Sequence, residues 1–210
     1  MKKQLNLLEF QDLISSFPSG FSHYEIKQNQ IDYRLKNNEE YEYKLIIPKI
    51  YHSDQMAYPL RLKELFSAKE AYLIILVEAG KAIVSLICAD EILKYKLIKK
   101  YMVRKTQGKA QYNHLSRKGK SRLGSRIRLR QTDEFFEELN DIIANYMTIH
   151  KPHRIYLHCS PSLKGEWFSR CKTPFDKKDP RLERLGLNVA DINQKQLKLI
   201  IKSLTTAYYC

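Results

Sequence analysis

Tyr72-Leu73-Ile74-Ile75-Leu76-Val77-Glu78-Ala79-Gly80-Lys81-Ala82-Ile83-Val84-Ser85-Leu86-Ile87-Cys88 is the stretch that decides the fold class. Its first six residues are continuously apolar and rich in β-branched side chains, the mark of a strand covered on both faces. Glu78-Ala79-Gly80-Lys81 then supplies a turn, and Ala82 to Cys88 returns as a second apolar strand. Downstream, Ile92 to Val103 reads as a third strand, with Lys94 and Lys96 on one face and Tyr95 and Leu97 on the other. The alternation slips at Leu97-Ile98 and Lys99-Lys100, where a bulge is expected.

Arg104 to Arg130 is polar and basic, has no sustained period, and carries Gly108, Gly119 and Gly124. It reads as a long mobile loop over 104–131, a length that in compact domains usually serves a function. Order resumes at Thr132, read as a helix N-cap with Asp133 and Glu134 in the first turn. Phe135, Phe136, Leu139, Ile142, Ile143 and Tyr146 recur at helical spacing and form a core-facing stripe. Arg154 to Cys159 alternates as a strand, Leu163 to Cys171 reads as a helix carrying the sole Trp, and Asn193 to Thr206 as the last helix. Hairpin, strand, helix, strand, helix, helix is an α/β order with a mixed β-sheet flanked by helices.

Upstream, residues 5 to about 16 read as a short amphipathic helix. Phe21 to Ile26, Gln30 to Leu35 and Tyr41 to Ile50 read as strands, and Pro59 to Phe66 as a short helix. A soft boundary falls near Ser67, giving an N-terminal α+β extension of unassigned role over 1–67 and a main domain over 68–210.

The whole chain has 210 residues, 43% hydrophobic and 29% charged, an ordinary globular mixture. Its apolar runs are too short to span a bilayer, and its start offers no secretory signal, so a cytoplasmic location is expected. Four cysteines without a C-x-x-C pair fit a reducing compartment and supply no structural zinc set. His150, His153 and His158 lack acidic partners, so no metal and no cofactor are expected. There is no Gly-rich phosphate loop, H-E-x-x-H or G-x-S-x-G, and Glu137 and Glu138 read as solvating carboxylates.

The formal net charge is +14, and it is concentrated. From Ile92 to Thr132 there are 14 Lys and Arg and no Asp or Glu, while the remaining residues balance. A solvated face normally mixes signs, because unbalanced cations repel one another. A polyanion is therefore the expected partner, and the segment lacks the apolar stripe of a membrane-surface helix. Nucleic acid leads. The RNA-binding set read from this segment is Arg104, Lys105, Lys109, Arg117, Lys118, Lys120, Arg122, Arg126, Arg128 and Arg130.

Within it stands Arg104-Lys105-Thr106-Gln107-Gly108-Lys109-Ala110-Gln111. A glutamine amide does not titrate near neutrality, so it is no general base, but it donates and accepts hydrogen bonds at once. That suits ordering a water or stabilising an oxyanion, while the adjacent glycine permits close backbone approach. The spacing alone is equally compatible with a basic RNA-binding loop without catalysis.

Tyr101-Met102-Val103-Arg104-Lys105-Thr106-Gln107-Gly108-Lys109-Ala110-Gln111 resembles the Y-x-V-R-x-x-Q-G-x-x-Q signature of the Vms-like release-factor family. That family is related to the catalytic domain of eukaryotic and archaeal peptide-chain release factors. Gly124-Ser125-Arg126-Ile127-Arg128 is similar to its G-S-x-L-R-R segment, and Asp179-Pro180-Arg181-Leu182 with Leu204-Thr205-Thr206 to its D-P-R…L-T-T ending. The resemblance covers about Ala71 to Tyr208. It implies a release-factor-like mixed-sheet domain acting in ribosome-associated quality control on peptidyl-tRNA held by the large ribosomal subunit and its rRNA. The implied activity is ester hydrolysis or cleavage at the tRNA CCA end. Gln111 matches the catalytic glutamine, with Gln107 and Gly108 as loop support and Arg104 and Arg128 near the tRNA end. Lys109-Ala110 stands where release factors have Gly-Gly. Neither membrane nor DNA is expected as a partner. The competing readings are a non-catalytic tRNA- or ribosome-binding module and a general ribonuclease.

Overall fold

The computed structural model describes residues 3–6, 8–10, 12, 23–27, 30–36, 42–46, 71–88, 90–100, 121–185 and 191–209. At 3, 23–27, 30–36, 42–46, 121–129 and 208–209 the description is of the backbone. The chain divides into two compact units. One comprises 71–87 and 92–193; the other comprises 1–70, 88–91 and 194–210.

The larger unit is built on the hairpin of β5 (Ala71–Glu78) and β6 (Lys81–Cys88). Gly80 makes the turn at φ 79°, a backbone conformation that costs an L side chain about 1–2 kcal/mol. β7 (Glu91–Lys99) pairs beside β6, and β8 (Arg154–Cys159) and β9 (Leu182–Arg184) extend the sheet on the other side. The order is β7-β6-β5-β8-β9. β5, β8 and β9 are mutually parallel, with Leu73 opposite Ile155 and Ile155 opposite Leu182. The sheet is mixed and flanked by helices, as the sequence expectation has it.

β5 is buried on both faces, which is why its sequence does not alternate. Leu73, Ile75 and Val77 join Val84, Leu86, Ile98, Ile155 and Leu157 in one core. Onto it pack Phe135, Phe136, Leu139, Ile143 and Tyr146 from helix α1 (Ser121–Ile149) and Trp167 from helix α2 (Pro161–Arg170). Phe136 stacks on Trp167 at 6.4 Å, and Phe175 meets Trp167 edge-on at 6.0 Å. The buried Trp167 Nε1–H donates to Asn140 Oδ1 at 2.9 Å, while Asn140 Nδ2 donates to the Lys172 carbonyl at 3.3 Å. A polar pair inside an aromatic cluster is thereby satisfied.

The helix start corrects the loop reading of 104–131 over its last eleven residues, 121–131; residues 104–120 lie outside the described residues. α1 begins at Ser121, so Thr132 lies inside the helix and is no N-cap. From Ser121 to Gln131 every residue but Gly124 is a tolerable helix former, and propensity does not require an apolar period. Asp133 and Glu134 then serve as partners of arginines: Glu134 accepts from Arg130 Nε at 2.8 Å, and Asp133 from Arg170 Nη1 at 3.0 Å. The third strand is also shorter than expected, ending at Lys99.

The second unit holds an antiparallel sheet in the order β1-β10-β4-β3-β2. Its strands are β1 (Lys3–Leu5), β2 (His23–Lys27), β3 (Gln30–Lys36), β4 (Glu42–Ile46) and β10 (Ala207–Tyr209). Lys3 lies opposite Tyr209, and Tyr209 opposite Leu45. Helix α3 (Gln194–Thr205) buries Leu197, Ile200, Ile201 and Leu204. After β1, Asn6 and Glu9 form a reciprocal capping box, each backbone N–H bonded to the other's side chain at 2.8 and 2.9 Å. So 194–210, read from sequence as the tail of the main domain, clusters with the first seventy residues. The expected helix at 59–66 lies outside the described residues.

Candidate functional site

The catalytic-loop candidates Gln107, Gly108 and Gln111, and the cations Arg104, Lys105, Lys109, Arg117, Lys118 and Lys120, lie outside the described residues. What the structure fixes is where that segment leaves and rejoins the fold. Lys100 N–H donates to the Gly80 carbonyl at 2.9 Å, so the end of β7 lies beside the β5–β6 turn. Lys100 Nζ also pairs with Glu138 of α1 at 3.2 Å, giving Glu138 a structural role beyond solvation. The chain rejoins at Ser121, the first residue of α1.

Four expected RNA contacts are therefore on a helix. Positions 122, 126 and 130 recur at i, i+4 and i+8 along α1, a single helical row, with Arg128 off it. Arg130 is highly exposed and held by Glu134. On β7, the outer strand of its sheet, Lys94, Lys96 and Lys99 are exposed while Ile98 is buried in the core. Ser85, fully buried on β6, donates its hydroxyl to the Lys94 carbonyl at 3.0 Å. Lysines on an edge strand also keep that edge from pairing with another chain.

The Asp179-Pro180-Arg181 motif is a clamp. Asp179 Oδ1 accepts from Arg181 N and Nε at 2.9 and 3.0 Å, and Oδ2 from Nη2 at 2.7 Å. Arg181 Nη1 reaches the Pro152 carbonyl at 3.5 Å, and Ile155 N–H donates to the Arg181 carbonyl at 2.8 Å, so the turn before β9 is tied to the entry of β8. The bond from the Arg181 guanidinium holds Asp179 below the ordinary carboxylate value. At the end of α3, the Thr205 and Thr206 hydroxyls bond back to the carbonyls of Ile201 and Lys202. His150 and His153 are exposed and His158 is half-buried on β8.

A second group of cations escaped the sequence reading. At the carboxyl ends of β8 and β9, a cavity of about 330 Å³ is lined by Leu157, Cys159, Pro161, Lys164, Lys177, Leu182, Glu183 and Arg184. Lys164, Lys177 and Arg184 come from a helix, a turn and a strand end, so no local spacing announces them. Glu183 is engaged by Arg154. Burial pushes the Cys159 thiol up to about 11, partly offset by Lys164, so it stays neutral near pH 7. No helix among the described residues is long and apolar enough to cross a membrane.

Residues 72–209 match a family model described as Bacteroidetes VLRF1 release factor. Among solved structures, one described as Vms1 mitochondrial localization core is similar at a TM-score of 0.53 and 12% identity, covering 95% of this chain and 80% of that one. No curated protein matches in sequence.

Proposed function

Because the chain belongs to the Bacteroidetes VLRF1 release-factor family, we propose that it frees nascent chains from peptidyl-tRNA stalled on the large ribosomal subunit. The observation that carries this is the family match over 72–209, which spans the Gln111 segment and both of its flanks. The mixed sheet shared with the Vms1 core supports it at the level of fold.

In this reading the cations between Ile92 and Thr132 hold the acceptor end of the tRNA, and Gln111 faces the reacting ester. Its amide orients a water whose oxygen attacks the ester carbonyl carbon. The bond to the ribose oxygen breaks, one of the water's protons passes to that oxygen, and the other is released to solvent as the peptide leaves as a carboxylate. The alternative chemistry on the same site is cleavage near the CCA end. There a ribose 2′-hydroxyl attacks the adjacent phosphodiester, a 2′,3′-cyclic phosphate forms, and the next nucleotide leaves through its 5′-oxygen, which takes up a proton as the hydroxyl gives one up. Gln107 and Gly108 support the segment in either route.

The test uses stalled ribosome–nascent-chain complexes. Gln111→Ala is expected to lose release by at least about 10²-fold, the scale of losing one oriented hydrogen bond in a transition state, while complex binding persists. Release at the wild-type rate would remove Gln111 from the reaction. Inspecting the tRNA separates the routes: an intact 3′ end reports ester hydrolysis, and missing terminal nucleotides report cleavage. Binding without any product in the wild type would leave a non-catalytic tRNA- or ribosome-binding module.

A further inference from the structure

The cavity at the ends of β8 and β9 has the chemistry of a phosphate site. Among the described arginine side chains, Arg130, Arg154, Arg170 and Arg181 are each paired with a carboxylate. Arg184 is not, nor are Lys164 and Lys177; Lys164 Nζ lies 5.6 Å from the centre of the Phe168 ring. Three cations thus converge on one cavity without an anion of their own. Its one carboxylate, Glu183, is neutralised by Arg154, and its thiol is uncharged. The first turn of α2 borders it, adding the positive end of a helix dipole. At about 330 Å³ it admits a phosphate with part of a sugar, and its apolar lining of Leu157, Pro161 and Leu182 has no aromatic ring on which a base would stack.

Position favours a strand of RNA over a free nucleotide. β5, β8 and β9 are parallel, and the Lys100–Gly80 bond sets the end of β7 beside the end of β5. The carboxyl ends of β5, β7, β8 and β9 therefore share one edge of the sheet. At about 4.8 Å per strand, the cavity lies roughly 15–20 Å along that edge from the point where the cationic 101–120 segment departs. A polyanion bound at that segment and following the edge reaches the cavity.

We propose that this cavity seats a backbone phosphate of the RNA strand, with Lys177 and Arg184 as its principal ligands and Lys164 beside them. The inference rests on the reading above that the chain acts on RNA. It adds a subsite that fixes the strand at a distance from the reacting end, so that the length of single strand between the two sets which linkage is presented.

The experiment measures binding of the full chain to a short single-stranded RNA ending in CCA, as native RNA and with single neutral methylphosphonate linkages. Wild type should lose about tenfold in affinity at one linkage, the effect of removing one charge-assisted contact. Lys177→Gln with Arg184→Gln should weaken native RNA to a similar degree and flatten the log–log salt slope by about 0.7. The two losses should coincide rather than add, since both remove the same contact. Both side chains are exposed, so folding should be nearly unchanged, checked by Tm. Lys177→Arg with Arg184→Lys should keep the wild-type slope. Wild-type affinity in the double Gln variant, or additive losses, overturns the subsite and leaves the proposed function standing. Occupation by inorganic phosphate with RNA affinity unaltered by the variant overturns the RNA assignment. No RNA binding by wild type overturns the subsite, while the proposed function is judged by release from the stalled complexes.

Discussion

At Asp179 one carboxylate accepts three hydrogen bonds from a single arginine, and that arginine also reaches back to the start of β8. The family-like Asp-Pro-Arg spelling therefore has a structural explanation, with the proline fixing the turn between the two charges. Asp179→Asn should cost about 1.5–3 kcal/mol, measured by urea denaturation at neutral pH. Arg181 lowers the Asp179 pKa, so the clamp's contribution is present above the unfolded carboxylate value of 3.8. It is lost as pH falls through the lower, folded value. The stability difference between wild type and Asp179→Asn should accordingly shrink in acid below about pH 4. A difference that stays constant down to pH 2 would mean the clamp carries none of the acid sensitivity. Gly165 is the opposite case. A methyl group added there, inside α2, meets no atom within 4 Å, so Gly165→Ala should stabilise by up to about 1 kcal/mol and raise Tm.

Among the elements, α1 is where sequence reasoning fell short. The hairpin was legible because six apolar residues, Tyr72 to Val77, demand a strand covered on both faces. The second half of α1 was legible because Phe135, Phe136, Leu139 and Ile143 repeat at helical spacing. Its first eleven residues carry no such repeat, and the break in pattern at Thr132 resembled a start. Ile127→Pro separates the alternatives. In a loop it would be nearly neutral, whereas in the helix running from Ser121 it should cost about 3 kcal/mol, visible as lost ellipticity and a lower Tm. The candidate site divides in the same way. Gln111 is named from a local motif and lies outside the described residues, while Lys164, Lys177 and Arg184 are brought together by the sheet edge and are invisible before the fold is known.

For the whole molecule, the charge pattern and the strand pairing govern different properties. In the proposed function the cations between Ile92 and Thr132 hold the RNA, and engagement of about seven phosphates would give a log–log salt slope near −5. The pairing of β10 between β1 and β4 joins the two ends of the sequence in the second unit's sheet. Three-residue strands at opposite ends of the sequence leave no periodic trace, so neither β1 nor β10 was expected. A chain ending at residue 193 should keep the larger unit folded. It should lose hydrogen-exchange protection in β4, which would lose its β10 neighbour and become the outer strand of what remains. Equal protection in the two chains would show that β10 is dispensable.

That same pairing has a bearing on the protein's own synthesis. Chains usually fold in the order they emerge, first domain first. Here strands β2 to β4 are made early, yet the strand that joins them to β1 is Ala207–Tyr209, translated after everything in the larger unit. β1 and β4 therefore lack the strand that joins them until the larger unit has been translated. Complete pairing of this sheet thus waits on the last residues to be made, against the usual first-made, first-folded order.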